Sequence, residues 1–97
     1  MHTKKVKHKE MLVAPPISSK LKSGHVVLHQ GQDVGEHVTE GKEEIIYIIA
    51  GKAIITVDDE VEKIESGTMI YIPHGKKHNI KNEDEETLQY IYVVSPL

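Results

Sequence analysis

Three side chains in this sequence carry metal-ligand chemistry at positions that strand geometry could bring together: His37, Glu44 and His78. Two imidazoles and one carboxylate form the ligand set of many non-haem iron sites, and the same donors suit manganese, nickel, copper or zinc. The 97 residues include no cysteine. Disulfides, zinc ribbons and thiol nucleophiles are therefore excluded, and a divalent ion would have to be held by nitrogen and oxygen donors. Residues i and i+2 of a strand share a face, which puts Gly35, His37 and Thr39 on one side. From Glu44 the same alternation groups Ile46, Ile48 and Ala50. If that apolar row lines an interior, Glu44 stands at its mouth pointing inward, where a carboxylate needs a cation or hydrogen-bond donors. His78 follows the turn "IPHGKK" and shares a face with Ile80 and Asn82. On periodicity alone, a scattered trio of this kind is more often surface chemistry than a site, and both readings stay open.

The elements that must position these residues read as strands. Valine, isoleucine, threonine and tyrosine dominate the apolar content, phenylalanine and tryptophan are absent, and short β-type runs recur about every ten residues with turn residues between them. The pattern predicts strands at 10–14, 25–30, 34–39, 44–50, 52–57, 60–65, 68–72, 77–82 and 86–94, an all-β sandwich or barrel. Two tight connections are legible, "AGK" at 50–52 and "VDDEV" at 57–61, and both read as hairpins joining antiparallel strands. "EIIYIIA" is apolar at both parities, which suits a strand covered on both sides by sheet or by a partner chain. A chain of this size could hardly cover it alone, so a homodimer is expected.

Length implies one domain. The amino terminus, "MHTKKVKHKE", crowds four lysines and two histidines into ten residues and reads as a flexible basic tail over residues 1–9, with a single domain over 10–97. "APPISSKLKSG" reads as an extended connector, and composition suggests residues 10–17 as an arm exchanged between subunits. The net charge of -3 is spread evenly, which leaves no broad basic face for nucleic acid or an anionic membrane. "MLVA" stops at Pro15 and Pro16, short of a signal-peptide core, and no run approaches the ~18 apolar residues of a membrane span. A cytoplasmic protein is expected.

The spacing resembles the cupin family. Gly31, five residues, His37, one residue, Thr39, four residues, Glu44, six residues and Gly51 follow the family's first motif. Gly67, five residues, Pro73, one residue, Gly75, two residues, His78, three residues and Asn82 follow its second, and fifteen residues separate the two. The resemblance implies an antiparallel cupin-type double-stranded β-helix, a jelly-roll barrel whose open end holds a metal on three histidines and a glutamate. Glu44 is preferred to Glu43 because it keeps six residues to Gly51, and Glu40 is a weaker substitute. Thr39 stands where the family has its second histidine, which reduces the implied ligand set to His37, Glu44 and His78. Three readings of Thr39 are open: a coordination position left to water or substrate, a replacement histidine from position 25 or 29, or lost metal binding. His25 and His29 share a strand face with Val27 and are candidate lining residues, with Tyr90 and Tyr92 as further candidates for the pocket. His2 and His8 belong to the tail, and His74 to a turn.

The resemblance implies a divalent ion (iron, manganese, nickel, copper or zinc) and a small-molecule ligand, with no role for nucleic acid. A metal-dependent enzyme of dioxygenase-like or isomerase-like type is one reading, with Ile46, Ile48, Ile70 and Ile72 as the wall that limits water. A non-catalytic binding or sensor module with weak or no metal is the other; a dimerising scaffold without a small-molecule role is a third. Neither the catalytic residues nor the substrate can be named from the sequence.

Overall fold

A computed structural model describes residues 1–97 as nine strands and no helix: β1 (Glu10–Val13), β2 (Lys22–Leu28), β3 (His37–Val38), β4 (Lys42–Ala50), β5 (Lys52–Val57), β6 (Glu60–Glu65), β7 (Met69–Ile72), β8 (Lys77–Lys81) and β9 (Leu88–Pro96). They form two antiparallel sheets, one ordered β1-β2-β9-β4-β7 and the other β3-β8-β5-β6. Without helices, no helix is long and apolar enough to cross a membrane.

Period-two alternation fills the space between the sheets. On β4, Glu44, Ile46 and Ile48 are buried while Ile45, Tyr47 and Ile49 are exposed. Leu28, Ile72 and Leu88 join from the same sheet, and Ala53, Ile55 and Ile80 from the other. Ile70, the fourth wall isoleucine expected from the sequence, is partly buried against this core. β6 is an edge strand, and its charged residues, Glu60, Glu62, Lys63 and Glu65, suit an edge that must not pair with another sheet.

One connection differs from its sequence reading. The "AGK" link at 50–52 is not a hairpin: β4 and β5 lie in different sheets, and Gly51 is the corner where the chain crosses between them. Its φ is +82°, and a Cβ there would lie 2.7 Å from the Thr87 carbonyl oxygen, so both torsion and space demand glycine. A short glycine-centred link carries a strand into a new sheet as readily as it folds a hairpin, and local sequence does not distinguish the two. "VDDEV" is a true hairpin, with Val57 opposite Glu60. Asp58 takes the positive φ of 50° in its turn, and its carboxylate accepts from the Lys77 N–H and pairs with Lys76 at 3.1 Å. These contacts tie the hairpin to the start of β8. The Lys76 hydrogen bond holds the Asp58 carboxyl below its ordinary pKa.

β3 is shorter than the strand expected at 34–39, because Gly35 has φ +89° and its N–H is tied to the Asp33 carboxylate. Residues 10–13 pair with this chain's own β2, and residues 1–9 carry almost no regular structure and are exposed.

Candidate metal centre

His37 and His78 lie directly opposite each other on β3 and β8. Paired residues of neighbouring strands present their side chains to the same face, and the two imidazoles meet there with ring centroids 4.1 Å apart, tilted by 59°. Glu44 arrives from β4 in the other sheet, so the group bridges the two layers. The ligating atoms of His37, Glu44 and His78 all lie within 4.8 Å of one another. Bonds of about 2.1 Å to one ion hold its ligand atoms at most about 4.2 Å apart, so the three side chains would draw together slightly to share it.

Backbone carbonyls set both tautomers. Nδ1 of His37 lies 2.9 Å from the Gly35 oxygen and Nδ1 of His78 lies 3.1 Å from the Lys76 oxygen. A carbonyl can only accept, so each Nδ1 donates and each neutral ring keeps the lone pair on Nε2, the arrangement that orients a ligating histidine. Nε2 of His78 is buried without a hydrogen-bond partner. Glu44 Oε1 is 3.4 Å away, close enough for an ion pair but outside hydrogen-bond alignment. The carboxylate raises the His78 pKa above its ordinary value, burial opposes the rise, and the Lys76 carbonyl adds to it. A buried ring nitrogen without an aligned hydrogen bond, beside a carboxylate that favours positive charge on it and beside a second imidazole, fits a cation, and these donors suit a divalent first-row ion that would compete with the proton.

A cavity of about 270 Å³ between the sheets is lined by His37, Glu44 and Thr39 together with Lys42, Tyr90 and Tyr92. Apolar Val26, Val34, Ile80 and Val94 complete the wall. Burial, and secondarily the Glu44 charge, push the Tyr90 phenol far above the usual tyrosine range and raise that of Tyr92. Both therefore stay protonated at neutral pH. Gly24 lies opposite Tyr92 across β2 and β9, and a Cβ at position 24 would come within 2.5 Å of the Tyr92 hydroxyl and 2.6 Å of its ring carbons. The missing side chain is what lets this phenol pack over β2.

Two of the sequence candidates lie elsewhere. His25 and His29 are not among the cavity-lining residues, because on β2 the inward parity belongs to Val26 and Leu28. His25 is buried on the outer side, its Nδ1 donating to the His8 carbonyl at 2.7 Å, and His29 lies near Thr87 and Gln32. Neither replaces the histidine missing at Thr39. Glu43 also faces outward and accepts a hydrogen bond from the Tyr71 hydroxyl at 2.8 Å. The sequence reading passed over Lys42, although its parity with Glu44 was visible. It also gave Asn82 no role, whereas this fully buried side chain donates to the Leu28 and Glu86 carbonyls at 2.9 and 3.0 Å and accepts from the Asp84 N–H.

Comparison with known proteins agrees with this geometry. The cupin domain family model matches residues 24–94. The chain is 27% identical over 74 residues to the tetracenomycin polyketide synthase protein TcmJ of Streptomyces glaucescens, covering 76% of this chain and 50% of that one. It is 30% identical over 67 residues to an oxalate-binding protein of Thermotoga maritima, covering 69% and 55%. The chain thus spans about half the length of both relatives. A solved cupin-family protein with a double-stranded β-helix fold from Methanocaldococcus jannaschii superposes with a TM-score of 0.80 at 23% identity, over 99% of this chain and 87% of that one. A barrel of two antiparallel sheets, both sequence motifs and a family match that spans the barrel lead to one assignment: the chain belongs to the cupin family.

Proposed function

We propose that this chain holds a divalent metal ion on His37, Glu44 and His78 and is a metal-dependent enzyme, dioxygenase-like or isomerase-like, acting on a small polar molecule that chelates the ion. The observation that carries the proposal is the buried Nε2 of His78, which has no hydrogen-bond partner and lies 3.4 Å from the Glu44 carboxylate. An ion bound there supplies a Lewis acid with open coordination positions. The protein's own groups do the rest: Glu44 offsets part of the ionic charge, the two histidines fix its place between the sheets, and the apolar wall of Val26, Val34, Ile80 and Val94 restricts water; the expected wall isoleucines Ile46, Ile48, Ile70 and Ile72 pack in and against the core instead. Thr39 lines the cavity, and a neutral hydroxyl is a poor ligand, so its position leaves room for substrate.

Cobalt(II) tests this reading, because its visible bands report coordination. The wild-type protein should bind cobalt, and its bands should shift when acetohydroxamate, a bidentate chelator, is added; His78→Ala should lose both responses. Bands that ignore the chelator, or no uptake of cobalt, would refute the open-site reading.

A second reading is a non-catalytic small-molecule binder or sensor. It is supported by the loss of one family histidine at Thr39 and by a relative described as oxalate-binding. An iron-loaded protein that binds ligands yet never consumes oxygen and converts none of them would favour it.

We also infer a homodimer. Ile45, Tyr47 and Ile49 of β4 and Met69 and Tyr71 of β7 are exposed side by side on the outer face of the five-stranded sheet. A two-fold partner meets such a patch with the same patch, so no second surface needs to be complementary.

A further inference from the structure

The cavity contains one charged group that the metal reading leaves unused. Lys42 lies two residues before Glu44 on β4, so both side chains point between the sheets, and both line the cavity. Lys42 is half-buried. No carboxylate pairs with Lys42, so its charge is uncompensated in the cavity. Glu44 is the only carboxylate in the lining. With a divalent ion in place, that carboxylate cancels one of the ion's two charges and the neutral imidazoles cancel none. The Lys42 ammonium then adds to an excess of positive charge facing Val26, Val34, Ile80 and Val94. Apolar walls lower the local dielectric and strengthen attraction to an anion.

The geometry points to Lys42 as the specificity-determining residue of this cavity, selecting a small dicarboxylate that places one carboxylate on the metal and the other on the Lys42 ammonium. This inference rests on the metal reading and adds the ligand class. Two residues of strand set the Lys42 and Glu44 Cα atoms roughly 7 Å apart on one wall of the cavity, and the long, flexible Lys42 side chain lets its ammonium follow a small anion held beside Glu44. The volume of about 270 Å³ accommodates a small dicarboxylate. Thr39, which follows β3 and also lines the cavity, offers the incoming carboxylate a hydroxyl donor.

The test is calorimetric titration of the zinc-loaded protein with malonate and with acetate, comparing wild type with Lys42→Gln and Lys42→Arg and measuring zinc content in each sample. The wild type should prefer malonate. Lys42→Gln should weaken malonate binding roughly tenfold or more, as loss of a charge-assisted hydrogen bond does, with a clearly smaller loss for acetate, which has no second carboxylate to place on Lys42, and with equal zinc content. Lys42→Arg should restore most of the malonate affinity. Equal malonate affinity in wild type and Lys42→Gln at equal zinc content would overturn the role of Lys42 and leave the metal site standing. Failure of both proteins to take up zinc would overturn the metal reading, and this inference with it.

Discussion

A ring nitrogen that faces a carbonyl must carry the proton, and His37 and His78 both use Nδ1 in this way. The structural work of these histidines and their ligating capacity thus sit on opposite sides of each ring. The residue types and spacing were legible in the sequence because strand alternation and two glycine-bounded motifs fix where they fall. Orientation was not legible at His25 and His29: parity groups residues on a face but does not say which face looks inward, and on β2 that depends on the pairing with β9. Gly24 was also silent, since its reason lies 68 positions away in Tyr92. Gly24→Ala should cost about 1–3 kcal/mol, the usual penalty for overpacking, as read by urea denaturation. The cost should shrink in the Gly24→Ala, Tyr92→Ala double variant, because the clash partner is gone. Equal costs in both backgrounds would show that the Tyr92 ring is not what excludes a side chain at position 24.

At the scale of elements, all nine strands were visible as β-type runs, and most differ from expectation only at their ends. β2 begins three residues earlier than expected, at Lys22, because Lys22, Ser23 and Gly24 pair with Val94, Val93 and Tyr92; a ladder partner extends a strand beyond what its own residues favour. Sheet membership was the illegible part, as at Gly51. Asn82 is instructive in the same way. As a motif position it had no assigned role, and its amide ties the end of β2 to the loop before β9. The metal centre is positioned indirectly, by pairings such as His37 with His78 that only the assembled sheet creates.

At the scale of the molecule, the two sheets leave an apolar outer face on β4 and β7, with Tyr47 46% exposed between Ile91 and Met69. The unbroken apolar run "EIIYIIA" was the legible sign of this. Light scattering should give about twice the 10.9 kDa chain mass at micromolar concentration, and Tyr47→Lys should halve it, because a buried lysine at a two-fold contact faces its own copy. A wild-type mass of one chain would remove the dimer. The function of the site, however, turns on the ion. The most direct test is elemental analysis of tag-free, chelator-free protein, as moles of metal per chain, for wild type, His37→Ala and His78→Ala. Close to one first-row ion in the wild type, and almost none in either variant while melting stays cooperative, is the result predicted here. Equal metal in all three, or none in the wild type even after titration with iron, manganese, nickel, copper and zinc, would contradict it.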